Sequence, residues 1–465
     1  MRINQKLTKK LLSYWILAYA SILLVIACSS DTQLQNEKVT RAPNQENVLQ
    51  IWWDKGYIIK EDEILQQIVS DWQQKSGVKA RIKFYTPDEI NQKTQRAIQA
   101  GNPPDILFSS RAEYPLLAWQ GKLADVSDVI KPVEKFYTDT ARKAAYLYDN
   151  VDQKYSYYAV PLHQGTIHIF YWQDLLKKVG KNADDIPLSW DEFWQFWQTV
   201  QIELQQQDGN IYALGIPFSI EASDTYYLFE QILEAYNVTI LNSQNELLVD
   251  SPEVRQGIIN CLQWYAELYQ QGYIPPNALN WLDPDNNRNF LNREVLMTPN
   301  PTLSIATALT ENRETYLNDL GTMEFPNKPD GNPIKHIVAV RQVMILKEAQ
   351  NKQTAKNFLA YLIQPEIIGN YLKSAGGRYL PAITAARQDS FWTNLQDPHI
   401  STATRTITEK PTRLFYSAQN PIYSLVLEKN IWGQALNLIV VDKISPEQAA
   451  DEAISQIKTI FEEWE

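Results

Sequence analysis

The most constraining feature of this 465-residue chain is an alternation of strand-like and helix-like segments between residues 48 and 111. Three short apolar runs, at 48–52, 80–85 and 105–108, are separated by two segments with apolar residues at helical spacing. A β-α-β-α-β order of this kind implies a parallel sheet with helices on its faces. Ligands of such sheets bind beyond the carboxyl ends of the strands. Here those ends carry Trp53-Asp54-Lys55 and Ser109-Ser110-Arg111.

A second α/β body follows the first along the chain. The β-prone run 166–171 leads into a helix at 173–176, and Ser189 with Glu192 has the spacing of a helix capping box. Ser445 and Pro446 mark the start of a last helix in the same way. The length of the chain suits two or three domains or one large two-lobed body. We therefore predict an α/β protein in which each body is built around a mostly parallel sheet.

The first 47 residues predict export from the cytoplasm. Residues 1–10 carry four basic residues and no acid, residues 11–27 carry no charge, and Cys28 follows directly. This order describes a secretory signal, and the cysteine resembles the bacterial lipobox, in which Cys28 is lipidated and becomes the N-terminus. An uncleaved transmembrane helix is the alternative, since 17 uncharged residues stand at the lower edge of spanning length. We predict a signal peptide at 1–27 and a flexible tether at 28–47, with the body tethered to a membrane and facing the periplasm or the cell exterior.

The composition excludes several classes of function. Lys and Arg total 43 against 54 Asp and Glu, a net charge of −11, which predicts no basic surface for nucleic acid. Two cysteines cannot build a disulfide scaffold, and four histidines leave little for a histidine-based metal site. No glycine-rich phosphate loop occurs, so we predict neither a metal nor an organic cofactor. The 14 Trp and 25 Tyr suit either a large core or a protein that grips apolar ligand faces.

Seven short segments carry a resemblance to a known family. They are Ile51 to Tyr57, Gly101 to Ile106, Gly121 to Asp125, Tyr158 to Pro161, Phe170 to Leu175, Pro187 to Phe193 and Phe290 to Met297. In order and spacing they resemble the extracellular solute-binding proteins of ABC importers, in the carbohydrate-binding family typified by maltodextrin-binding protein. The resemblance covers nearly all of residues 48–465.

The resemblance implies a two-lobed periplasmic-binding-protein fold of type II, with a ligand cleft at the hinge. The chain would cross between the lobes near 162–165, 336–342 and 385–395. The N-lobe would then comprise 48–162 and 342–390, and the C-lobe 163–341 and 391–465. The family's function implies a monomeric, non-enzymatic receptor that closes on a sugar or polyol and delivers it to the membrane permease of an ABC importer.

The candidate ligand-binding residues follow from sugar chemistry, because aromatic rings take the apolar face of a pyranose and charged groups take its hydroxyls. At the strand ends of the N-lobe they are Trp53, Asp54, Lys55, Tyr57, Ser109, Ser110, Arg111 and Glu113. In the C-lobe the resemblance implies Glu221, Asp224, Tyr226 and Tyr227, which fall where the family supplies an acid and an aromatic. Trp281 and Trp432 are candidate stacking platforms, and Arg378 could clamp a ligand or cap a helix. Strand alternation sends Trp52 and Trp53 to opposite faces. We assign Trp53 to the cleft and expect Trp53→Ala to weaken binding while the fold is retained.

The sequence departs from the family pattern at positions that affect substrate choice. Thr298-Pro299-Asn300 replaces a usual glycine and stacking aromatic, and His163-Gln164-Gly165 stands where the maltodextrin binder has an acid. The sugar therefore cannot be transferred from the family. One alternative keeps the fold and binds a glycerophosphodiester or an oligopeptide, although the acidic net charge argues against strongly anionic ligands unless local charge overrides it. Another alternative is a surface glycosidase with two carboxylates, but the sequence carries no glycosidase signature.

Overall fold

The strands of the computed structural model, which describes residues 48–110, 114–207 and 210–464, form two mixed sheets and one hairpin. The strands are β1 (Leu49–Asp54), β2 (Ala80–Tyr85), β3 (Ile106–Phe108), β4 (Tyr146–Asp149), β5 (Lys154–Tyr157), β6 (Val160–Thr166), β7 (His168–Trp172), β8 (Tyr212–Leu214), β9 (Val295–Asn300), β10 (Leu320–Met323), β11 (His336–Ile345), β12 (Leu380–Pro381) and β13 (Thr412–Leu414). Strands β4 and β5 form the hairpin. The predicted signal peptide, the tether and Cys28 lie outside the described residues.

Helices cover the sheets and connect the strands. They are α1 (Ile59–Ser76), α2 (Pro87–Gln99), α3 (Tyr114–Trp119), α4 (Ser127–Ile130), α5 (Asp139–Ala145), α6 (Gln173–Lys178), α7 (Trp190–Gln205), α8 (Ser223–Ala235), α9 (Pro252–Gln270), α10 (Asp285–Leu291), α11 (Ser304–Ala308), α12 (Lys352–Leu362), α13 (Pro365–Ser374), α14 (Ser390–Thr393), α15 (Pro398–Glu409), α16 (Tyr416–Gln419), α17 (Tyr423–Glu428), α18 (Ile431–Val440) and α19 (Pro446–Glu462). Among the described residues, none of these helices has both the length and the apolar character needed to cross a membrane.

The larger sheet has the strand order β12-β6-β11-β3-β1-β2, and β13 pairs with the start of β11. Strands β1, β2 and β3 are parallel, as the β-α-β-α-β pattern predicts. Strand β11 runs antiparallel to both β3 and β6. The prediction of mostly parallel sheets is therefore wrong. The reason is that β11, from far along the chain, is inserted between β3 and β6 and runs opposite to both, which the order of the elements at 48–111 does not encode.

The smaller sheet has the order β10-β7-β9-β8, in which only the β8–β9 pair is parallel. Its strand β7 begins two residues after β6 ends in the larger sheet, so the chain passes from one sheet to the other almost without a loop. All residues of β6 and β7 are buried. The two sheets are thus joined through a packed, extended segment of backbone.

Two helix starts illustrate how far local sequence decides local structure. Ser445 caps α19, and its side chain and that of Gln448 form the reciprocal hydrogen bonds of a capping box. Ser189 precedes α7 but makes no such bond to the backbone. Its hydroxyl donates instead to the Glu192 carboxylate at 2.5 Å. The predicted capping box at Ser189 is therefore wrong, although the helix begins where it was expected.

Candidate functional site

The carboxyl ends of β1 and β3 meet, because the two strands are parallel neighbours with Trp53 opposite Phe108. This register places Asp54 beside the segment that follows β3. The backbone N–H of Ser110 donates a hydrogen bond to Asp54 Oδ2. The two strand ends that the sequence singled out therefore form one surface, as parallel pairing requires.

A cavity of about 70 Å³ opens at this surface. Four of the predicted residues line it, namely Trp53, Asp54, Lys55 and Ser110 from the two strand ends. Arg378, a fifth predicted residue, closes it from a distant part of the sequence. These five predicted residues thus bring an aromatic ring, a carboxyl, a hydroxyl and two basic groups to the cavity.

Four rings form a row along the cavity wall. The indole of Trp53 stacks on Phe108 with ring centroids 4.4 Å apart. Phe108 lies 5.7 Å from His163, whose imidazole stacks on Tyr379 at 4.1 Å. Because flat rings offer an apolar face that matches the C–H face of a sugar, this wall can hold a pyranose. Trp53 is only 2% exposed, so it belongs to the core as well as to the cavity.

A double-glycine turn positions Arg378 at the cavity. Gly376 and Gly377 both have positive φ, and a Cβ at either would lie within 3 Å of a neighbouring side chain. The turn therefore requires glycine at both positions. It places the Arg378 guanidinium 3.2 Å from Glu61 Oε2 and over the rings of Tyr379 and Tyr57. Arg378 is thus paired with Glu61, and it lines the cavity with its remaining surface.

Burial shifts the pKa values of two groups at the cavity, Asp54 and His163. It raises the pKa of Asp54 to about 6, against the opposing effects of Ser110 and the nearby arginines. Burial also lowers the pKa of His163 well below its usual value, and the positive charges of Arg341 and Arg378 add to this effect. The imidazole is therefore neutral at pH 7.

Several buried polar atoms at the cavity lack hydrogen-bond partners. They are Asp54 Oδ1, His163 Nδ1 and Arg378 Nε, each without a partner among the described residues. Buried polar groups in proteins are almost always hydrogen-bonded, so a buried polar atom without a protein partner at a cleft is suited to bind water or a ligand. A polyhydroxylated solute both donates and accepts, so it suits this set of atoms.

A second cavity of about 50 Å³ adjoins the first, and Ser110 lines both. Tyr226 and Tyr227 of α8 contribute to it, each less than a tenth exposed. Arg341 of β11 joins them. Its Nη1 donates to the carbonyl oxygen of Ser110 at 2.7 Å and to the Tyr227 hydroxyl at 2.9 Å. The strand ends of the larger sheet and helix α8 therefore meet at Arg341.

Four further candidates that the structure describes, Ser109, Glu221, Asp224 and Tyr57, line neither cavity. Ser109 is buried, Glu221 is exposed ahead of α8, and the backbone N–H of Asp224 donates to Asp283 at 3.1 Å. Tyr57 is partly buried beneath Arg378. Arg111 and Glu113 lie outside the described residues.

The two tryptophans proposed as replacement platforms lie in the hydrophobic core. Trp432 is fully buried, stacks on Phe229 with centroids 4.8 Å apart, and donates its Nε1–H to the Tyr423 hydroxyl. Trp281 is 3% exposed. Because both side chains are buried, neither tryptophan forms the stacking platform that was expected of it. The physical reason is that α18 is apolar on most of its surface and buries Trp432 against α8 and α19.

The sequence did not identify Phe108, His163, Arg341 and Tyr379 as site residues, although all four line the cavities. Phe108 ends β3, so strand position could have indicated it. His163 stood out only as a departure from the family pattern. Arg341 and Tyr379 come from segments far along the chain, and only the pairing of β6 with β11 and β12 brings them to the strand ends.

Comparison with known proteins adds independent information. A family model described as "Bacterial extracellular solute-binding protein" matches residues 67–402. The diacetylchitobiose binding protein DasA of Streptomyces coelicolor is 23% identical over 237 residues, which cover 45% of this chain and 54% of that protein. The sn-glycerol-3-phosphate-binding periplasmic protein UgpB of Yersinia enterocolitica is 22% identical over 349 residues, which cover 73% of this chain and 72% of that protein.

A solved structure has the same fold. The ABC transporter solute binding protein from Thermotoga lettingae, bound with α-D-tagatose, superposes with a TM-score of 0.74. The match covers 89% of this chain and 99% of that one, at 20% sequence identity. The predicted fold class is therefore confirmed, with mixed sheets in place of mostly parallel ones.

Proposed function

Because the chain belongs to the family of bacterial extracellular solute-binding proteins, we propose that it is a receptor that binds a sugar or polyol and delivers it to the membrane subunits of an ABC importer. The cavity at the ends of β1 and β3 is the proposed ligand site. Since relatives that match this chain bear the names of a diacetylchitobiose binder and a glycerol-3-phosphate binder, the particular solute is not transferred from them.

One observation carries this proposal. A row of four rings and three partnerless buried polar atoms face the same cavity. Stacked rings without polar groups are typical of a hydrophobic core, and buried polar atoms without protein partners commonly bind an ordered water. Together they match a solute that has an apolar face and a rim of hydroxyls.

We also propose two lobes that close on the solute, with the N-lobe at 48–162 and 342–390 and the C-lobe at 163–341 and 391–465. The two separate sheets support this division, and so does the direct passage of the chain from β6 to β7. Residues of both proposed lobes meet where Arg341 of the C-lobe donates to the carbonyl oxygen of Ser110 in the N-lobe at 2.7 Å. A solute that contacts both lobes would shift an open–closed equilibrium toward the closed form, which the importer would recognise.

Binding is tested by a thermal-shift screen of the mature protein against mono- and oligosaccharides, polyols and glycerophosphodiesters. We expect one class to raise the apparent stability by mass action, by about 2.7 kcal/mol when the solute is present at 100 times its Kd. Lys55→Ala should weaken binding about 10-fold, because this exposed lysine lines the cavity. Lys60→Ala is the matched control, since this lysine pairs with Glu63 outside the cavity. Failure of every solute to stabilise the protein would contradict the proposal.

The same preparation tests the rival enzymatic function. A receptor returns its ligand chemically unchanged, whereas a glycosidase would cleave it. We expect chromatography of the incubated sugar to recover it intact. Turnover by the pure protein would reverse the ranking of the two functions.

We propose that Cys28 anchors the receptor to a membrane through lipid. In a lipoprotein-processing host, Cys28→Ala should abolish labelling by radioactive palmitate and leave the protein soluble or unprocessed. Cys261→Ala is a matched control, because this thiol is fully buried in α9 and its pKa is raised by burial. Unchanged labelling of the Cys28→Ala protein would rule out the lipobox.

A further inference from the structure

Arg341 differs from the other arginine at the site in its lack of a countercharge. Arg378 forms an ion pair with Glu61 at 3.2 Å. Among the described residues no carboxylate lies within 4 Å of the Arg341 guanidinium. Within the described part of the chain its Nη1 contacts only neutral oxygens, those of Ser110 and Tyr227, and its buried Nε has no hydrogen-bond partner there. A partly buried charge of this kind is costly unless something pairs with it.

The position of Arg341 in the fold fixes its side chain at the cleft. The residue lies inside β11, opposite His163, and the register of β11 with β6 shifts between Arg341 and Gln342. Irregularities of this kind occur next to functional sites, where they re-aim a side chain. His163 lines the first cavity and Arg341 the second, so the guanidinium stands where the two adjoin.

The peptide of Ser110 links this cation to the acid of the site. Its N–H donates to Asp54 Oδ2, and its carbonyl oxygen accepts from Arg341 Nη1. Asp54 and Arg341 are therefore both held by the backbone of Ser110, and the two side chains form no ion pair within 4 Å. The positive charge of Arg341 is left to face the cleft.

We propose that the solute carries a single negative charge, as the carboxylate of an acidic sugar or as a phosphodiester on a polyol, and that Arg341 binds this group. This inference rests on the proposed receptor function and narrows its ligand class. A planar guanidinium presents a fork of N–H donors that fits two oxygens of either group. One charge is specified because Glu61 pairs with Arg378 and the charges of Lys55 and Asp54 offset each other, which leaves Arg341 as the unpaired cation among the described residues of the adjoining cavities. The net charge of −11 does not oppose this, since the local charge at a cleft overrides the average.

The test uses solutes that differ only in the charged group. The pairs are D-glucuronate with D-glucose, D-galacturonate with D-galactose, and glycerophosphoglycerol with diglycerol, each titrated by calorimetry into the full mature protein. In at least one pair we expect the charged member to bind about 100-fold more tightly than the neutral one, as for a desolvated charge pair. The uronate pairs and the diester pair distinguish the two sources of the anion.

Arg341→Gln should weaken binding of the charged member about 100-fold and so remove its preference over the neutral member. Arg255→Gln, at an exposed arginine paired with Asp451, is the charge-matched control and should retain the preference. If Arg341→Gln fails to fold, Arg341→Met serves in its place, since replacing a buried unpaired charge by an apolar side chain of similar volume is often tolerated.

The outcomes separate this inference from the receptor function. Binding of a neutral sugar or polyol that is as tight as that of its charged counterpart overturns the charged-ligand proposal and leaves the receptor function in place. A preference for the charged solute that survives in Arg341→Gln also overturns the assignment to Arg341. A panel in which no solute binds overturns both proposals.

Discussion

Replacing Trp53 by alanine is expected to lower the free energy of unfolding by about 3–5 kcal/mol. The indole is 2% exposed and stacks on Phe108 with centroids 4.4 Å apart. Its removal would leave a hole under the cavity wall that the strands of a packed sheet cannot close. The structure therefore revises the sequence-based expectation that Trp53→Ala affects binding alone. Urea unfolding followed by tryptophan fluorescence measures the change.

The neighbouring residue provides the control for this prediction. Trp52 points to the other face of β1, is only partly buried and meets Tyr85 edge-on at 5.4 Å. Trp52→Ala should cost about 1 kcal/mol. Trp53→Phe keeps a ring in the row and should fold normally, which allows ligand binding to be measured apart from stability. Equal losses from Trp52→Ala and Trp53→Ala would show that Trp53 is not the core member of the pair.

Replacing Asp54 by asparagine should stabilise the ligand-free protein at neutral pH. Burial raises the pKa of this carboxyl from 3.8 to about 6. The folded state therefore favours the protonated form, and the stability that this preference gives is present below pH 4 and is lost as the pH rises through 6. A shift of about 2 units corresponds to about 3 kcal/mol. The advantage of Asp54→Asn over the wild type should grow by about this amount between pH 4 and pH 7.5, as measured by urea denaturation across that range.

Asp125, a carboxyl whose pKa is shifted in the opposite direction, is the matched control. Burial acts to raise the pKa of Asp125, but hydrogen bonds from Ser156 and Ser127 outweigh it and lower the pKa to about 2. Asp125→Asn should therefore be destabilising near pH 7, with an effect that fades as the pH falls toward 2. An effect of Asp54→Asn on stability that does not vary with pH would contradict the raised pKa.

The local part of the site could be predicted from the sequence. Trp53, Asp54 and Ser110 were placed correctly at one surface because strand alternation and parallel pairing are short-range rules, and β1 and β3 obey them. Tyr226 and Tyr227 came from the family resemblance, and both line the second cavity. Their contacts with the solute remain predictions.

The long-range part could not be predicted in the same way. Arg341 reaches the site through the pairing of β11 with β3 and β6. Tyr379 reaches it through the pairing of β12 with β6. No spacing rule encodes pairing between strands so far apart in sequence. Trp432 was expected to form a stacking platform but is buried. Its helix α18 is apolar around most of its circumference, and such a helix packs into the core rather than lining a cleft.

The row of rings has a consequence for the biogenesis of the protein. It begins at Trp53, in the first strand, and ends at Tyr379, which the ribosome adds only after most of the chain has been made. A nascent chain that lacks the segment around Tyr379 has only part of this wall, so it cannot trap a solute while synthesis is still under way. Late completion of the pocket is therefore compatible with the export that residues 1–47 predict.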